Sequence, residues 1–289
     1  MRFKILLLIT PLLVLCVSAC NTINKPEPIP TYVKIDSLIV DITNTSVQGT
    51  AHHNITSVWM YYNNDPVGIF DIPCYVPVIT EGEKGTLSII PGITLNGLVD
   101  LQPQYVFYTF DSMTLATTPG GTINFTPVVR YTEAAKFPYK EDFEVGNSFI
   151  PFTPELTNDT SIRRTNDKSM VFEGGGAGLI ELNGTFPYSE SISNTGFPIA
   201  IGEAYLEVNY KCNVPFEVGL YGTLNSGIDA YEYVMGVKAT DTWKKIYIDL
   251  ATFRGKYPGK DYKLLVKTAL PEGQASGYVL LDNIKVVTY

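Results

Sequence analysis

The chain has 289 residues, a formal net charge of −8, and 21 Lys and Arg against 29 Asp and Glu. Nucleic-acid binding depends on neutralising phosphates, so an acidic chain without basic clusters excludes nucleic acid as a partner, and equally excludes docking of the protein surface onto anionic lipid. The abundance of Tyr (19) and Phe (14), with scattered Gly and Pro and no long helical periodicity, is typical of an all-β secreted protein.

The chain begins with a targeting signal. Arg2 and Lys4 precede an apolar run that extends from Ile5 to Val17. At about a dozen apolar residues, this run is too short to cross a hydrocarbon core, which needs about 20. It is therefore predicted to be a signal peptide and not a membrane helix.

The four residues at 17–20, Val-Ser-Ala-Cys, resemble the lipobox of bacterial lipoproteins. The resemblance implies that residues 1–19 are removed and that Cys20 becomes a lipid-modified first residue, anchored by several acyl chains. Asn21 in place of aspartate implies, by resemblance to the enterobacterial sorting rule, an outer-membrane location on a face that the sequence does not specify. Ordinary secretion with cleavage after Ala19 is the alternative.

The segment after the cysteine is predicted to be a stalk. Pro26, Pro28 and Pro30 stand at every second position, without an apolar pattern. Such a composition favours extended polyproline II at about 3.1 Å per residue. Residues 20–31 are therefore expected to hold the folded part of the chain away from the membrane.

Residues 32–132 are predicted to form an immunoglobulin-like β-sandwich. Short β-rich runs separated by turn residues recur about every ten residues, which is typical of this fold. The predicted strands are 32–42, 47–51, 57–62, 67–70, 86–90, 105–110 and 122–131. The turn at residues 63–66 predicts a hairpin between the third and fourth runs. Motifs between residues 53 and 97 resemble the N-terminal region of uncharacterised lipoproteins from Bacteroidota, and this resemblance implies no activity.

Few residues here have the chemistry of a metal or redox site. His52 and His53 are neighbours, so on a regular strand they face opposite ways and cannot chelate one metal; they are predicted to be polar loop residues. Cys74 and Cys212 fall in different predicted domains and are interpreted as small buried hydrophobes, although a bridge between them stays open. Trp59 is open to two interpretations, as a core residue or as part of an interface.

Residues 140–289 are predicted to form a second sandwich. Ala204, Leu206 and Val208 alternate with Tyr205 and Glu207, which indicates a strand buried on one face only. The motifs Glu-Asp-Phe-Glu at 141–144, Trp-Lys-Lys-Ile-Tyr-Ile-Asp-Leu at 243–250 and Leu-Leu-Asp-Asn-Ile-Lys-Val at 280–286 resemble jelly-roll domains of the galactose-binding and carbohydrate-binding-module type. The resemblance implies a fold more than a ligand.

Asp282 shares a strand face with apolar residues, so alternation would turn a carboxylate toward the core. A buried unpaired charge costs several kcal/mol. In jelly rolls that the chain resembles, the first and last strands often hold a structural calcium, and the resemblance implies Asp142, Glu144 and Asp282 as its ligands. The alternative is a carboxylate that accepts backbone N–H bonds at a bulge.

No catalytic arrangement is apparent. The glycine-rich residues 172–178 lack the Lys-Ser/Thr and the helix of a phosphate loop, and they are predicted to be a connection between strands. The two adjacent histidines offer no Ser/His/Asp or Cys/His set. We therefore predict a protein that is not an enzyme.

Two functions fit these features. The first is a non-catalytic, lipid-anchored scaffold or adaptor for another envelope protein. The second is carbohydrate binding by the jelly roll, because sugar sites use aromatic platforms with a few fixed polar groups. The aromatic candidates, in or beside the loops that flank residues 225–235, are Tyr221, Tyr231, Tyr233 and Trp243. The alternative is that they are core or edge aromatics. The sequence ranks the scaffold first.

Overall fold

The structure is a computed structural model that describes residues 27–152 and 159–289. The predicted signal peptide and Cys20 lie outside the described residues. The predicted stalk ends earlier than residue 31, because Thr31 is fully buried as the first residue of β1, and Gly120 N donates to Pro30 O at 2.9 Å. No helix in the described part of the chain is long and apolar enough to cross a membrane.

The first sandwich consists of β-strands and one short helix. Its elements are β1 (Thr31–Ile35), β2 (Ile39–Val40), α1 (Thr45–Gln48), β3 (Ile55–Tyr62), β4 (Asp65–Asp71), β5 (Cys74–Val78), β6 (Lys84–Ile93), β7 (Asp111–Ala116), β8 (Thr122–Asn124) and β9 (Val128–Val129). One sheet has the order β4-β3-β6-β7, and β5-β1-β8 and β2-β9 form the others. The predicted hairpin of β3 and β4 is present.

Two strand pairs of this sandwich are parallel, whereas the predicted immunoglobulin-like sandwich consists of antiparallel sheets. β8 pairs with β1 and β9 pairs with β2 in parallel, because the chain returns after β7 in the direction of the first two strands. The immunoglobulin-like assignment stays a prediction.

Two predicted strands of this domain are wrong. Residues 47–51 lie in and after helix α1, where Asn44 Oδ1 accepts from Val47 N at 3.3 Å and Gly49 ends the helix at φ 75°. Residues 105–110 form no regular strand. Their aromatic side chains Tyr105, Phe107 and Tyr108 are buried in the core, so the apolar pattern indicates burial and not extended pairing.

The second sandwich follows directly. Its elements are β10 (Lys136–Glu141), β11 (Phe149–Pro151), β12 (Asp159–Thr160), β13 (Arg163–Thr165), β14 (Ala177–Asn183), β15 (Tyr188–Ser193), β16 (Ala204–Cys212), β17 (Phe216–Leu224), β18 (Asp229–Val237), β19 (Thr240–Asp249), α2 (Ala251–Lys256), β20 (Gly259–Ala269) and β21 (Ser276–Thr288). β10 begins before residue 140 and already pairs with β21.

The second sandwich has jelly-roll topology. One sheet has the order β13-β14-β21-β16-β19, and the other has the order β11-β15-β20-β17-β18. Successive strands from β14 to β21 alternate between the two sheets, except for the hairpin of β17 and β18. The inward residues of both sheets, such as Phe216, Val218, Leu264 and Leu281, form one apolar core.

The first sandwich covers the outer face of the β16-containing sheet. Tyr205, Tyr247 and Val287, which point away from the jelly-roll core, are buried in the core of the first sandwich. The expectation that this strand is buried on one face only is therefore wrong. Its polar outward residues Glu207 and Asn209 are fully buried at the domain interface.

Candidate functional site

Three of the four predicted aromatic residues lie together on the exposed face of the second sheet. Leu220 points into the core, so its neighbour Tyr221 points outward from β17. Tyr231 on β18 is directly opposite Tyr221, and Tyr233 is opposite Gly219. The register of the β17–β18 hairpin thus brings together three residues that were predicted from their closeness along the chain.

A fourth ring completes an aromatic surface. The Phe152 ring lies 5.9 Å from the Tyr221 ring and 5.4 Å from the Tyr231 ring, centre to centre, and both contacts are edge-to-face. Tyr231 is 56% exposed. We name the surface formed by Phe152, Tyr188, Tyr221, Tyr231 and Tyr233 the tyrosine face.

Charged residues cross the sheet beside these rings. Glu190, Lys267 and Glu217 are register neighbours on β15, β20 and β17. Lys267 Nζ lies 3.3 Å from Glu217 Oε2 and 4.0 Å from the centre of the Tyr233 ring. The row therefore places charges of both signs next to the aromatic surface.

Two phenol hydroxyls hold Glu190, the buried member of the Glu190–Lys267–Glu217 row. Tyr188 Oη donates to Glu190 Oε2 at 2.9 Å, and Tyr233 Oη donates to Glu190 Oε1. Burial and the Glu190 carboxylate raise the pKa of Tyr233, so its hydroxyl remains a donor. Tyr233 fits here because Gly219 has no side chain, since a Cβ there would lie 3.0 Å from Tyr233 Cδ1.

Trp243 does not belong to the tyrosine face. It lies on β19 in the opposite sheet, where its ring is 5.3 Å from the ring of Phe172. Phe172 in turn contacts His52 at 4.6 Å. The prediction grouped Trp243 with the tyrosines because these residues are close along the chain. In the fold, however, β18 and β19 belong to different sheets.

Trp59 lies outside the first core. Its neighbours Val58 and Met60 are buried, whereas Trp59 is half-buried and donates through Nε1 to Gln102 O at 3.1 Å. It lines an open groove of about 550 Å³ with Ile69. The interface interpretation, not the core interpretation, matches this placement.

The cysteines and histidines take structural places. Cys74 and Cys212 are free thiols, and burial raises the pKa of each. His52 Nδ1 lies 2.9 Å from Asn209 Nδ2 across the domain interface. Burial lowers the pKa of His53, whose Nδ1 accepts from Ile55 N at 3.3 Å. These residues are remote from the tyrosine face.

The three predicted calcium ligands have other partners. Asp142 Oδ2 lies 2.9 Å from Lys140 Nζ, and Glu144 Oε2 accepts from Gly175 N at 2.8 Å. Arg164 Nη2 donates to the carbonyls of Glu144 and Gly175, at 3.1 and 3.0 Å. The guanidinium of Arg164 therefore already donates hydrogen bonds to carbonyl oxygens of this loop.

Asp282 is buried at a β-bulge. Oδ1 accepts from Asn283 N at 2.8 Å and Oδ2 from Glu173 N at 3.5 Å, and the pairing of β16 with β21 shifts register here. Asn283 adopts φ 50°, which turns the chain out of regular alternation. Burial raises the pKa of Asp282 to about 7. The sequence offered this bulge as the alternative to calcium.

Across the described residues 27–152 and 159–289, no three His, Cys, Asp or Glu side chains converge on a metal-binding position. Asp142, Glu144 and Asp282 instead bond to Lys140 and to backbone N–H groups. Calcium binding by these residues stays a prediction from the resemblance.

Sequence reasoning missed the charged cluster at the domain interface. Glu207 Oε1 accepts from Tyr105 Oη at 2.5 Å and from Tyr131 Oη at 2.8 Å, both of the first sandwich. Glu207 Oε2 lies 2.6 Å from Lys245 Nζ and 3.5 Å from Lys285 Nζ. The available signal was the outward position of these polar residues on neighbouring strands of one sheet.

A cavity of about 510 Å³ lies beside this cluster, between α1 and its following loop and the β10–β21 edge. We name it the interdomain cavity. Its lining includes Thr45 and Thr50 from the first sandwich and Lys140, Lys245 and Lys285 from the second.

These features define an all-β protein of two sandwiches, the second a jelly roll with an exposed aromatic and charged sheet face. Among solved structures, the CBM22-1 xylan-binding domain from Paenibacillus barcinonensis Xyn10C is similar, with 13% identity over 54% of this chain and 96% of that chain and a TM-score of 0.36. TmCBM61 in complex with β-1,4-galactotriose shows 15% identity over 50% of this chain and 92% of that chain, with a TM-score of 0.32.

The K2 cleaved adhesin domain of Lys-gingipain shows 14% identity over 52% of this chain and 99% of that chain, with a TM-score of 0.36. No model of a protein family matches the chain, and no curated protein matches it. At these identities and TM-scores, what the similar domains bind is not carried over to this chain.

Proposed function

We propose that this protein binds glycans, without catalysis, through the tyrosine face of its jelly-roll domain. The observation that carries the proposal is the pairing of Tyr221 and Tyr231 across two strands, with the Phe152 ring against both. These rings form an aromatic surface on a sheet face that the first sandwich leaves uncovered.

The chemistry of the face suits a sugar. Pyranose rings present apolar C–H faces that stack on aromatic rings, and their hydroxyls need a few fixed polar partners. In the Glu190–Lys267–Glu217 row, Glu217 and Lys267 supply an acceptor and a donor beside the rings, and Glu190 is the buried member that orders the row. Hydrogen bonds from Tyr188 and Tyr233 hold Glu190 in place, so these polar groups are preorganised.

This proposal reverses the ranking that the sequence gives. The scaffold ranks first from the sequence because the sequence shows no catalytic arrangement. The fold, in contrast, brings three predicted tyrosines together on one exposed surface. A ready aromatic surface supports glycan binding more directly than an anchor and a stalk support a scaffold.

The test is a glycan array followed by calorimetry with the bound polysaccharides, with xylan and β-1,4-galactan included. We expect Tyr231→Ala to weaken binding by about tenfold or more, because stacking of a nucleic-acid base on one aromatic ring contributes on the order of 1–3 kcal/mol and we expect a similar contribution from a pyranose face. Tyr75→Ala is the matched control, because Tyr75 is 54% exposed but lies in the first sandwich. Absence of binding to every glycan, or equal loss in both variants, would contradict the proposal.

A scaffold role is the second candidate, favoured by the groove at Trp59. Ile69, Val99 and Leu101 line this groove and are 46%, 72% and 42% exposed. Exposed apolar patches mark protein contacts. Copurification of a stoichiometric partner with the wild type, but not with a Val99→Asp variant, would support this role.

We also propose that the protein is a lipid-anchored component of the outer membrane, attached through Cys20. The support is the signal peptide and the Val-Ser-Ala-Cys motif. In that position, a tethered jelly roll would hold glycans at the cell envelope.

A further inference from the structure

Two ammonium groups of the interdomain cavity are buried. The side chains of Lys245 and Lys285 are 1% and 4% exposed, and both line the cavity. The carboxylate that they share is Glu207, whose side chain is 0% exposed. Two ammonium groups and one carboxylate leave this buried cluster with one positive charge in excess.

Lys245 has an unused hydrogen-bond donor. Its Nζ lies 2.6 Å from Glu207 Oε2 and donates to His52 O at 2.7 Å. An ammonium carries three hydrogens. Among the described residues, the third has no hydrogen-bond acceptor, and the remaining contact of Nζ is with the Tyr247 ring, whose centre lies 5.7 Å away.

Lys285 is less well satisfied. Its Nζ donates to Gln48 O at 2.8 Å, but it lies 3.5 Å from Glu207 Oε2 and 4.8 Å from the centre of the Tyr131 ring. With one short hydrogen bond and two longer contacts, this ammonium can still donate a hydrogen bond to a closer anionic partner.

The carboxylates of the cavity wall are already engaged. Asp142 pairs with Lys140, Glu144 accepts from a backbone N–H, and Glu173 Oε1 accepts from Asn283 Nδ2 at 2.7 Å. The buried lysines, and not these acids, therefore offer the unused bonds. The wall acids also disfavour any ligand that carries more than one negative charge.

We propose that the interdomain cavity binds a small monoanionic carboxylate, whose oxygens accept hydrogen bonds from Lys245 and Lys285. One carboxylate balances the one excess charge of the cluster. Thr45 and Thr50 line the same cavity and supply hydroxyls for polar substituents of the ligand. The volume of about 510 Å³ suits a small molecule, and such sites occur preferentially between domains. This site is separate from the tyrosine face.

Calorimetry with D-glucuronate and D-glucose tests the proposal, because the two sugars differ chiefly in the carboxylate. We expect D-glucuronate and acetate to bind, D-glucose not to bind, and inorganic phosphate to bind more weakly than acetate. Lys285→Met should weaken glucuronate binding by about tenfold or more. Lys256→Met is the matched control, since Lys256 forms an exposed pair with Glu232 and should leave binding unchanged.

A second variant separates binding from folding. Thr45 is exposed and lines the cavity, so Thr45→Trp should narrow the opening while both lysines stay unmutated. We expect an unchanged melting temperature and a loss of glucuronate binding. Full affinity in Thr45→Trp, equal heats for glucose and glucuronate, or no carboxylate binding up to about 50 mM would each overturn the proposal.

Discussion

The Nζ atom of Lys245 lies 2.6 Å from Oε2 of Glu207, and the two side chains are 1% and 0% exposed. The other oxygen of Glu207 accepts from Tyr105 and Tyr131 of the first sandwich. One carboxylate thus bonds to both domains. Buried ion pairs add little stability over apolar residues, but removing one partner leaves an uncompensated charge.

Replacing Glu207 should destabilise the fold strongly. Glu207→Gln leaves Lys245 and Lys285 buried without their carboxylate, so we expect the free energy of unfolding to fall by about 3–5 kcal/mol. Denaturant unfolding measures this. Glu232→Gln is the control, because it breaks an exposed pair with Lys256 and should cost at most about 1 kcal/mol. Equal losses of stability in Glu207→Gln and Glu232→Gln would contradict the assignment of Glu207 as the buried partner of the two lysines.

The same carboxylate should make stability depend on pH in acid. Burial alone would raise the pKa of Glu207, but Lys245 and Lys285 outweigh it and lower the pKa from 4.5 to about 2. A lowered carboxyl pKa stabilises the fold above pH 4.5, and this stabilisation disappears as the pH falls from 4.5 through 2. It is on the order of 3 kcal/mol. The stability difference between wild type and Glu207→Gln should therefore shrink toward pH 2, and a constant difference would contradict it.

On the tyrosine face, the hydroxyl of Tyr233 should matter for stability. Tyr233→Phe removes one of the two phenol donors to Glu190, which is only 7% exposed. We expect a loss of about 1–3 kcal/mol in the free energy of unfolding, the usual cost of depriving a buried carboxylate of a donor. Tyr231→Phe is the control and should leave stability unchanged within about 0.5 kcal/mol, since Tyr231 is 56% exposed.

Calcium should have no effect on stability if the carboxylates keep the partners described here. Lys140 and backbone N–H groups bond to the carboxylates of Asp142, Glu144 and Asp282. We therefore expect the melting temperature to be the same in EDTA and in millimolar Ca²⁺. A rise of several degrees with Ca²⁺ that Asp282→Asn abolishes would instead support the calcium site implied by the resemblance.

Cys20 should anchor the protein to the membrane. We expect the wild type to incorporate labelled palmitate and to remain in the outer-membrane fraction, and Cys20→Ala to do neither, because several acyl chains are needed for stable anchoring. Mass spectrometry of the mature N-terminus gives a second measurement. An unmodified thiol at Cys20 would refute lipidation.

The sequence by itself determined what depends on local pattern. Alternation over residues 204–208 predicted the strand β16, and turn residues at 63–66 predicted the β3–β4 hairpin. The all-β class followed from such patterns, whereas the jelly roll was implied by the resemblance of the motifs at 141–144, 243–250 and 280–286 to known jelly-roll domains. Local pattern failed at residues 105–110, because burial of aromatic side chains looks the same in a strand and in an irregular segment.

Tertiary structure alone decided the sites. Tyr221, Tyr231 and Tyr233 converge because the hairpin register places them on one face, while Trp243 leaves that face because β19 joins the other sheet. Glu207 looked like a solvent-facing residue in the alternating pattern. It became the centre of the domain interface because the first sandwich covers its sheet, a long-range contact that no spacing within one strand encodes.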